Sequence, residues 1–200
     1  MDGDGNTDWV VFNSKTRKVS AWLMNGTVWS GTTLSGTNVV PAGKTVAAVE
    51  DLNGDGKADL ILFQAANKPL TYWLMDGVKV TGTVTGPVVP IGFTAVAGAD
   101  DLNGDGVPDV LLWNSTTRKT MVLALSGSNA QFGTPIVGPT FNKGLQSIGL
   151  DDFNGDDGAE WLTYNPATSS VQYWGVSGTT QQLKPPATLL PKGMTPAGVR

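Results

Sequence analysis

The chain has no cysteine and no histidine among its 200 residues. The first absence removes disulfides and thiolate metal sites. The second removes the commonest general base and the usual nitrogen ligand for zinc or copper. Charge is also thin, at 15% of residues, and Glu, Lys and Gln, which favour exposed helix, are sparse. No apolar run approaches the roughly 18 residues needed to cross a bilayer as a helix. The opening residues lack a charged-then-apolar leader, so a leader, if a precursor carries one, lies outside this sequence. No basic stripe offers a track for nucleic acid.

What is abundant is turn chemistry. There are 26 glycines, and they separate short runs rich in Val, Thr and aromatic residues, a composition of strands joined by turns. Two hundred residues are enough for a core that folds without covalent staples. The net charge of −4 conceals a local pattern. Of the 17 acidic residues, all but Glu50, Asp76, Asp100 and Asp151 lie in four Gly-rich segments, and Glu50, Asp100 and Asp151 directly precede three of them.

Those segments align as "DGDGNTDWVVFN" (2–13), "DLNGDGKADLILFQ" (51–64), "DLNGDGVPDVLLWN" (101–114) and "DFNGDDGAEWLTYN" (152–165). Their last acids, Asp8, Asp59, Asp109 and Glu160, are spaced by 51, 50 and 51 residues. A second landmark keeps the same step, since "AWLMNG", "YWLMDG", "VLALSG" and "YWGVSG" end at Gly26, Gly77, Gly127 and Gly178. Two landmarks in one register make a fourfold repeat covering the chain. Each repeat contains four short strand-like runs, too little to bury a core alone. Repetition at this length predicts an all-β protein, a β-propeller of four-stranded blades.

The "D-[FL]-N-G-D-G-x-x-D-[LV]" loop, followed by "WLMNG" about fifteen residues on, resembles the FG-GAP/VCBS repeat of bacterial secreted propellers. The same loop type occurs in the calcium-binding blades of integrin alpha-subunits. The resemblance implies a propeller in which the strand before the loop is innermost. It also implies loops that bind Ca²⁺ and a use in recognition or adhesion, without naming one activity.

Blade boundaries are expected near 1–43, 44–91, 92–142 and 143–192 of a single domain over 1–200. The last segment, "KGMTPAGVR", aligns with the inner strand before the fourth loop, while the chain opens on a loop without such a strand. Residues 193–200 are therefore expected to complete the first blade and close the ring, because closure removes exposed strand edges. A four-bladed monomer is the economical count. Two chains exchanging that strand to form eight blades, or a piece of a larger propeller, satisfy the same pattern.

The acidic loops follow the oxygen spacing by which a chain wraps a hard cation. Counting from Asp51, positions 1, 3, 5 and 9 are Asp51, Asn53, Asp55 and Asp59. Position 6 is Gly56, and Lys57 at position 7 offers its carbonyl. The third loop repeats this with Asp101, Asn103, Asp105, the Val107 carbonyl and Asp109. Tight turns alone also favour Asp, Asn and Gly, but turn chemistry does not require every ligand position to recur. Two carboxylates ~4 Å apart repel by about 4 kcal/mol at an effective dielectric near 20, and a divalent ion reverses that cost. Oxygen-only donors select Ca²⁺ over zinc or copper, and irregular loops suit Ca²⁺ better than Mg²⁺.

The outer copies depart from the pattern. The fourth has Asp152, Asn154, Asp156, the Gly158 carbonyl and Glu160, with Asp157 in the glycine slot, and is expected to bind more weakly. The first has Asp2, Asp4, the Asn6 carbonyl and Asp8, without a residue at position 1.

Trp22, Trp73 and Trp174 share one repeat position, filled by Leu123 in the third copy, and read as packing between blades. Trp9 and Trp161 share another beside the loops and read as structural. Trp29 recurs in no other repeat and is the candidate for stacking on a sugar. Arg17, Lys18, Arg118 and Lys119 lie in equivalent turns and read as solvated cations. The only clustered carboxylates are those assigned to cations, and catalytic sites rarely come as copies around a ring, so no enzyme activity is expected. The functional expectation is a secreted or surface module binding calcium and a glycan or extracellular protein. A structural spacer, or an accessory domain of a polysaccharide-degrading enzyme, is the alternative.

Overall fold

The computed structural model describes residues 1–34, 38–102, 105–114, 116–126, 131–132, 136–141, 144–153, 159–177 and 180–189. Every regular element in them is a strand. β1 (Trp9–Phe12), β2 (Val19–Asn25) and β3 (Val28–Thr33) form one antiparallel sheet, and β4 (Thr45–Glu50), β5 (Asp59–Phe63), β6 (Pro69–Asp76) and β7 (Lys79–Val88) the second. The third sheet contains β8 (Ala95–Asp100), β9 (Asp109–Trp113), β10 (Lys119–Leu123) and β13 (Ile136–Thr140). Between its last two strands lie the two-residue segments β11 (Leu125–Ser126) and β12 (Gln131–Phe132). The fourth sheet contains β14 (Gln146–Asp151), β15 (Glu160–Asn165), β16 (Ser170–Ser177) and β17 (Thr180–Leu189).

Each four-stranded sheet runs as a meander, with the strand before an acidic loop at one edge and the strand after it next inward. That edge strand is bulged in all three, between Val46 and Ala48, Val96 and Gly98, and Ser147 and Gly149. The extra residue bends the strand and sharpens its twist. The first sheet has β1 at its edge, and residues 193–200, expected to pair there, lie outside the described residues.

The turns repeat as faithfully as the strands. Asn13 Oδ1 accepts from the amides of Lys15 (3.0 Å) and Thr16 (2.9 Å), and Asn114 Oδ1 from those of Thr116 and Thr117 (both 2.9 Å). Each turn then passes through a left-handed residue: Arg17, Asn67, Arg118 and Ser169, with φ between 53° and 62°. The arginines thus occupy a backbone position set by the turn, one where a side chain other than Gly or Asn is strained.

The chain divides into two compact units, Met1–Ile91 with Gly127–Gln131, and Gly92–Ser126 with Phe132–Arg200. In the first, Val19, Ala21, Leu34 and Val40 pack with Leu60, Leu62, Trp73 and Met75 of the second sheet. In the second, Leu111, Trp113 and Val122 of the third sheet pack with Trp161 of the fourth, and Trp174 joins them. A Cβ on Gly98 of β8 would come within 2.7 Å of Leu150 Cβ in β14, so the edge strands approach closely there. The runs "LILF" and "VLLW" are continuous rather than alternating because β5 and β9 are buried on both faces.

Candidate metal centre

In the three four-stranded sheets the acidic loop follows the edge strand and its last acid is the first residue of the next strand inward, while the first loop leads into β1. In the second loop the carboxylates are turned onto the loop's own backbone. Asp51 Oδ1 accepts from the amides of Gly54 (2.8 Å) and Asp55 (3.2 Å), and Asp51 Oδ2 from Gly56 (2.7 Å). Asn53 Oδ1 accepts from Asp55 N (2.9 Å), and Asp55 Oδ1 from Lys57 N (2.9 Å). These are successive Asx turns, in which the side chains of positions 1, 3 and 5 bond the loop's own amides. Gly54 and Gly56 make this possible with φ of 74° and 82°. The third loop repeats the pattern where it is described: Asp101 accepts from Asp105 N (3.1 Å) and Gly106 N (2.7 Å), and Asp105 from Val107 N (2.9 Å).

The acid at position 9 behaves differently from the others. Asp59 is fully buried. Its Oδ1 accepts from Met75 N in β6 (2.7 Å) and its Oδ2 from Leu52 N (3.2 Å). The strand-side bond, from an amide sixteen residues on, recurs in the first and third copies, from Met24 N to Asp8 (2.8 Å) and from Leu125 N to Asp109 (2.9 Å). The loop-side bond recurs from Phe153 N to Glu160 Oε2 (3.2 Å) and, in the first copy, from the Met1 α-amino group to Asp8 Oδ2 (2.7 Å). Position 9 is therefore a latch, tying the second loop to β6, the first to β2 and the third to the short segment β11. Burial pushes the Asp59 carboxyl up to about 6 and that of Asp109 to about 7, despite the amides donating to them. Burial also raises Asp8, but the bonds from Met1 and Met24 outweigh it and hold its carboxyl below the usual range.

Three further acids act beside the loops. Glu50, Asp100 and Asp151 each accept from the amide of the following residue, at 3.3, 2.8 and 2.9 Å. Asp76, the isolated acid of the sequence, pairs with Lys57 Nζ at 2.5 Å and so joins the second loop to the "WLMDG" landmark. Among the described residues, Asp2, Asp4 and Asp8 form the one group of three acids whose oxygens lie within 4.8 Å of one another. That is the loop departing furthest from the spacing. Asn103, Asn154, Asp156 and Gly158 lie outside the described residues.

Two family models match this part of the chain, an FG-GAP-like repeat over residues 1–62 and an FG-GAP repeat over 42–85. Residues 1–85 are FG-GAP repeats. No curated protein matches the chain. FG-GAP repeats often bind calcium, and the donors here fit that ion: carboxylate, amide and carbonyl oxygens, with neither nitrogen nor sulfur ligands. In the FG-GAP repeats, Asp51, Asn53, Asp55, Asp59 and the Lys57 carbonyl would hold the ion of the second loop, and Asp2, Asp4, Asp8 and the Asn6 carbonyl that of the first. Asn6 already donates to Asp4 Oδ2 (2.7 Å). Among the described residues no helix is long and apolar enough to cross a membrane.

The latch reading makes a prediction that needs no metal. Asp59→Ala leaves the Met75 and Leu52 amides without their acceptor, and losing buried partners costs on the order of 2–4 kcal/mol. Urea unfolding in calcium-free buffer near pH 4, where the ionisation penalty of the buried carboxyl has not yet set in, should show that loss.

Proposed function

We propose that the chain is a non-catalytic, calcium-stabilised β-propeller module serving extracellular recognition or adhesion, with a glycan or an extracellular protein as ligand. The observation that carries this reading is the recurrent loop. In the second loop the oxygens of positions 1, 3 and 5 are held by the loop's own amides and the buried acid at position 9 ties the loop to β6, so a cation held there would brace two strands at once. The four sheets are its blades, and residues 193–200 join the open edge of β1 to complete the ring. Calcium sites of extracellular modules work at about 10⁻⁴–10⁻³ M, which suits loops this short and a location outside the cytosol. Catalysis is not part of the proposal, because the chain lacks His and Cys and its acids recur by repeat.

The test is a calcium titration by calorimetry, paired with a glycan array run in calcium and in chelator. Saturable calcium binding and glycan capture that disappears with the ion support the reading. Calcium binding without capture of any glycan shifts the weight to a protein ligand or a spacer. An absence of calcium binding at millimolar ion refutes it.

A further inference from the structure

The second loop is the one copy of the four with a charged residue at position 7, Lys57. Its counterparts are Asn6, Val107 and Gly158. A cation there works against the loop, because position 7 lies among the carboxylates that would take a divalent ion. Asp76 meets that cation: Lys57 Nζ donates to Asp76 Oδ1 at 2.5 Å. The counterparts of Asp76 are Asn25, Ser126 and Ser177. Cation and acid are thus present together in one copy and both missing from the other three.

The strand end that holds Asp76 also holds the latch. Asp76 is the last residue of β6, and Met75 before it donates its amide to Asp59 Oδ1 (2.7 Å). Neighbouring residues of one strand therefore fix the last acid of the loop and the ammonium of its position 7. The Lys57 amide is bound to Asp55 Oδ1 (2.9 Å), and after Asp76 the Asp55 carboxylate is the next charge attracting the Lys57 ammonium. Without Asp76, the acid left to attract it is Asp55, at position 5 of the ligand set. A Cβ on Gly3 would stand 3.6 Å from Lys57 Cγ, so the first loop borders the lysine stem. All of these residues belong to one compact unit.

We propose that Asp76 is a positioning residue for the second loop, holding the Lys57 ammonium off the carboxylates so that they are left to a divalent cation. The proposal rests on the calcium reading of the loops given above. As an exposed ion pair, Lys57 and Asp76 do little for stability by themselves. Their effect is on the charge that an arriving cation meets. A unit charge and a divalent ion about 8 Å apart in water repel as strongly as two unit charges at about 4 Å, roughly a fivefold factor in affinity. The third loop reaches the same neutrality with neither charge, since it has Val107 and Ser126. Position 7 offers its carbonyl, so substituting either side chain of the pair leaves every oxygen donor of the loop in place.

Calcium titration of the whole chain tests it, followed by the amide NMR signals of Gly54 and Gly56 for the second loop and of Gly106 for the third. Asp76→Asn should raise the calcium midpoint at Gly54 and Gly56 by about fivefold and leave that at Gly106 unmoved. Lys57→Met combined with Asp76→Asn should restore the midpoint of the unchanged chain, and Lys57→Met alone should not raise it. A midpoint unmoved in Asp76→Asn refutes this proposal and leaves the metal reading standing. A loss that persists in the double variant also refutes it, and makes Asp76 a cation ligand in its own right. So does a lower calcium-free melting temperature in Asp76→Asn, because the lost affinity would then follow from a damaged fold. No calcium-dependent shift in the unchanged chain overturns this proposal and the metal reading together.

Discussion

Chelation is expected to lower the melting temperature by about 10–20 °C relative to millimolar calcium. At free calcium ~100-fold above the dissociation constant, one site that binds only the folded chain adds about 2.7 kcal/mol. The loops at 51–59 and 101–109 belong to different compact units, and independent sites add. Two sites give about 5 kcal/mol, and for a chain of this size 1 kcal/mol moves the midpoint by about 2–4 °C. Differential scanning calorimetry with and without calcium checks it. Asp51→Ala together with Asp101→Ala should abolish most of the difference, since both residues sit at position 1 of their loops. A calcium-independent midpoint would contradict the assignment of these loops.

Without calcium, stability should fall as the pH rises from about 4 to 7. The sign follows from the latches. Asp59 and Asp109 have folded pKa values raised by burial to about 6 and about 7. The folded chain therefore binds more protons than the unfolded chain between the two values of each group. That contribution is fully present below about pH 4 and is lost as the pH passes about 6 for Asp59 and about 7 for Asp109. At 1.36 kcal/mol per unit, the losses are about 3 and 4 kcal/mol. Calcium favours the ionised carboxyls, so saturating ion should flatten or reverse the slope. Thermal unfolding from pH 4.5 to 7.5 in calcium-free buffer reads this directly. Asp59→Asn with Asp109→Asn should level the profile, and a wild-type profile rising toward pH 7 excludes the buried latches as its cause.

The comparison of sequence with structure is clearest at particular residues. The 51, 50, 51 spacing was enough to place four sheets, because each period contains the same strand-forming runs and the same Asn, Asp and Gly punctuation. The ordering of positions 1, 3 and 5 was legible for a similar reason: it is made by hydrogen bonds spanning only two to five residues. The latch was not legible. Asp59 fits the ligand spacing, but its partner amide is sixteen residues away in β6, and no local pattern announces a backbone donor. Trp9 and Trp161 share a repeat position and were both expected to be structural. Trp161 is wholly buried and Trp9 mostly exposed, because the third sheet lies against the fourth while the matching face of the first stays open.

The sequence by itself determined the all-β class, the repeat, the turns and the hard-oxygen character of the loops, since all of these arise from residues close along the chain. Only the tertiary structure decided which carboxylates are buried and which sheet face is left exposed. Those properties depend on what another strand or sheet brings against a residue, and two identical repeats can differ completely in that neighbour.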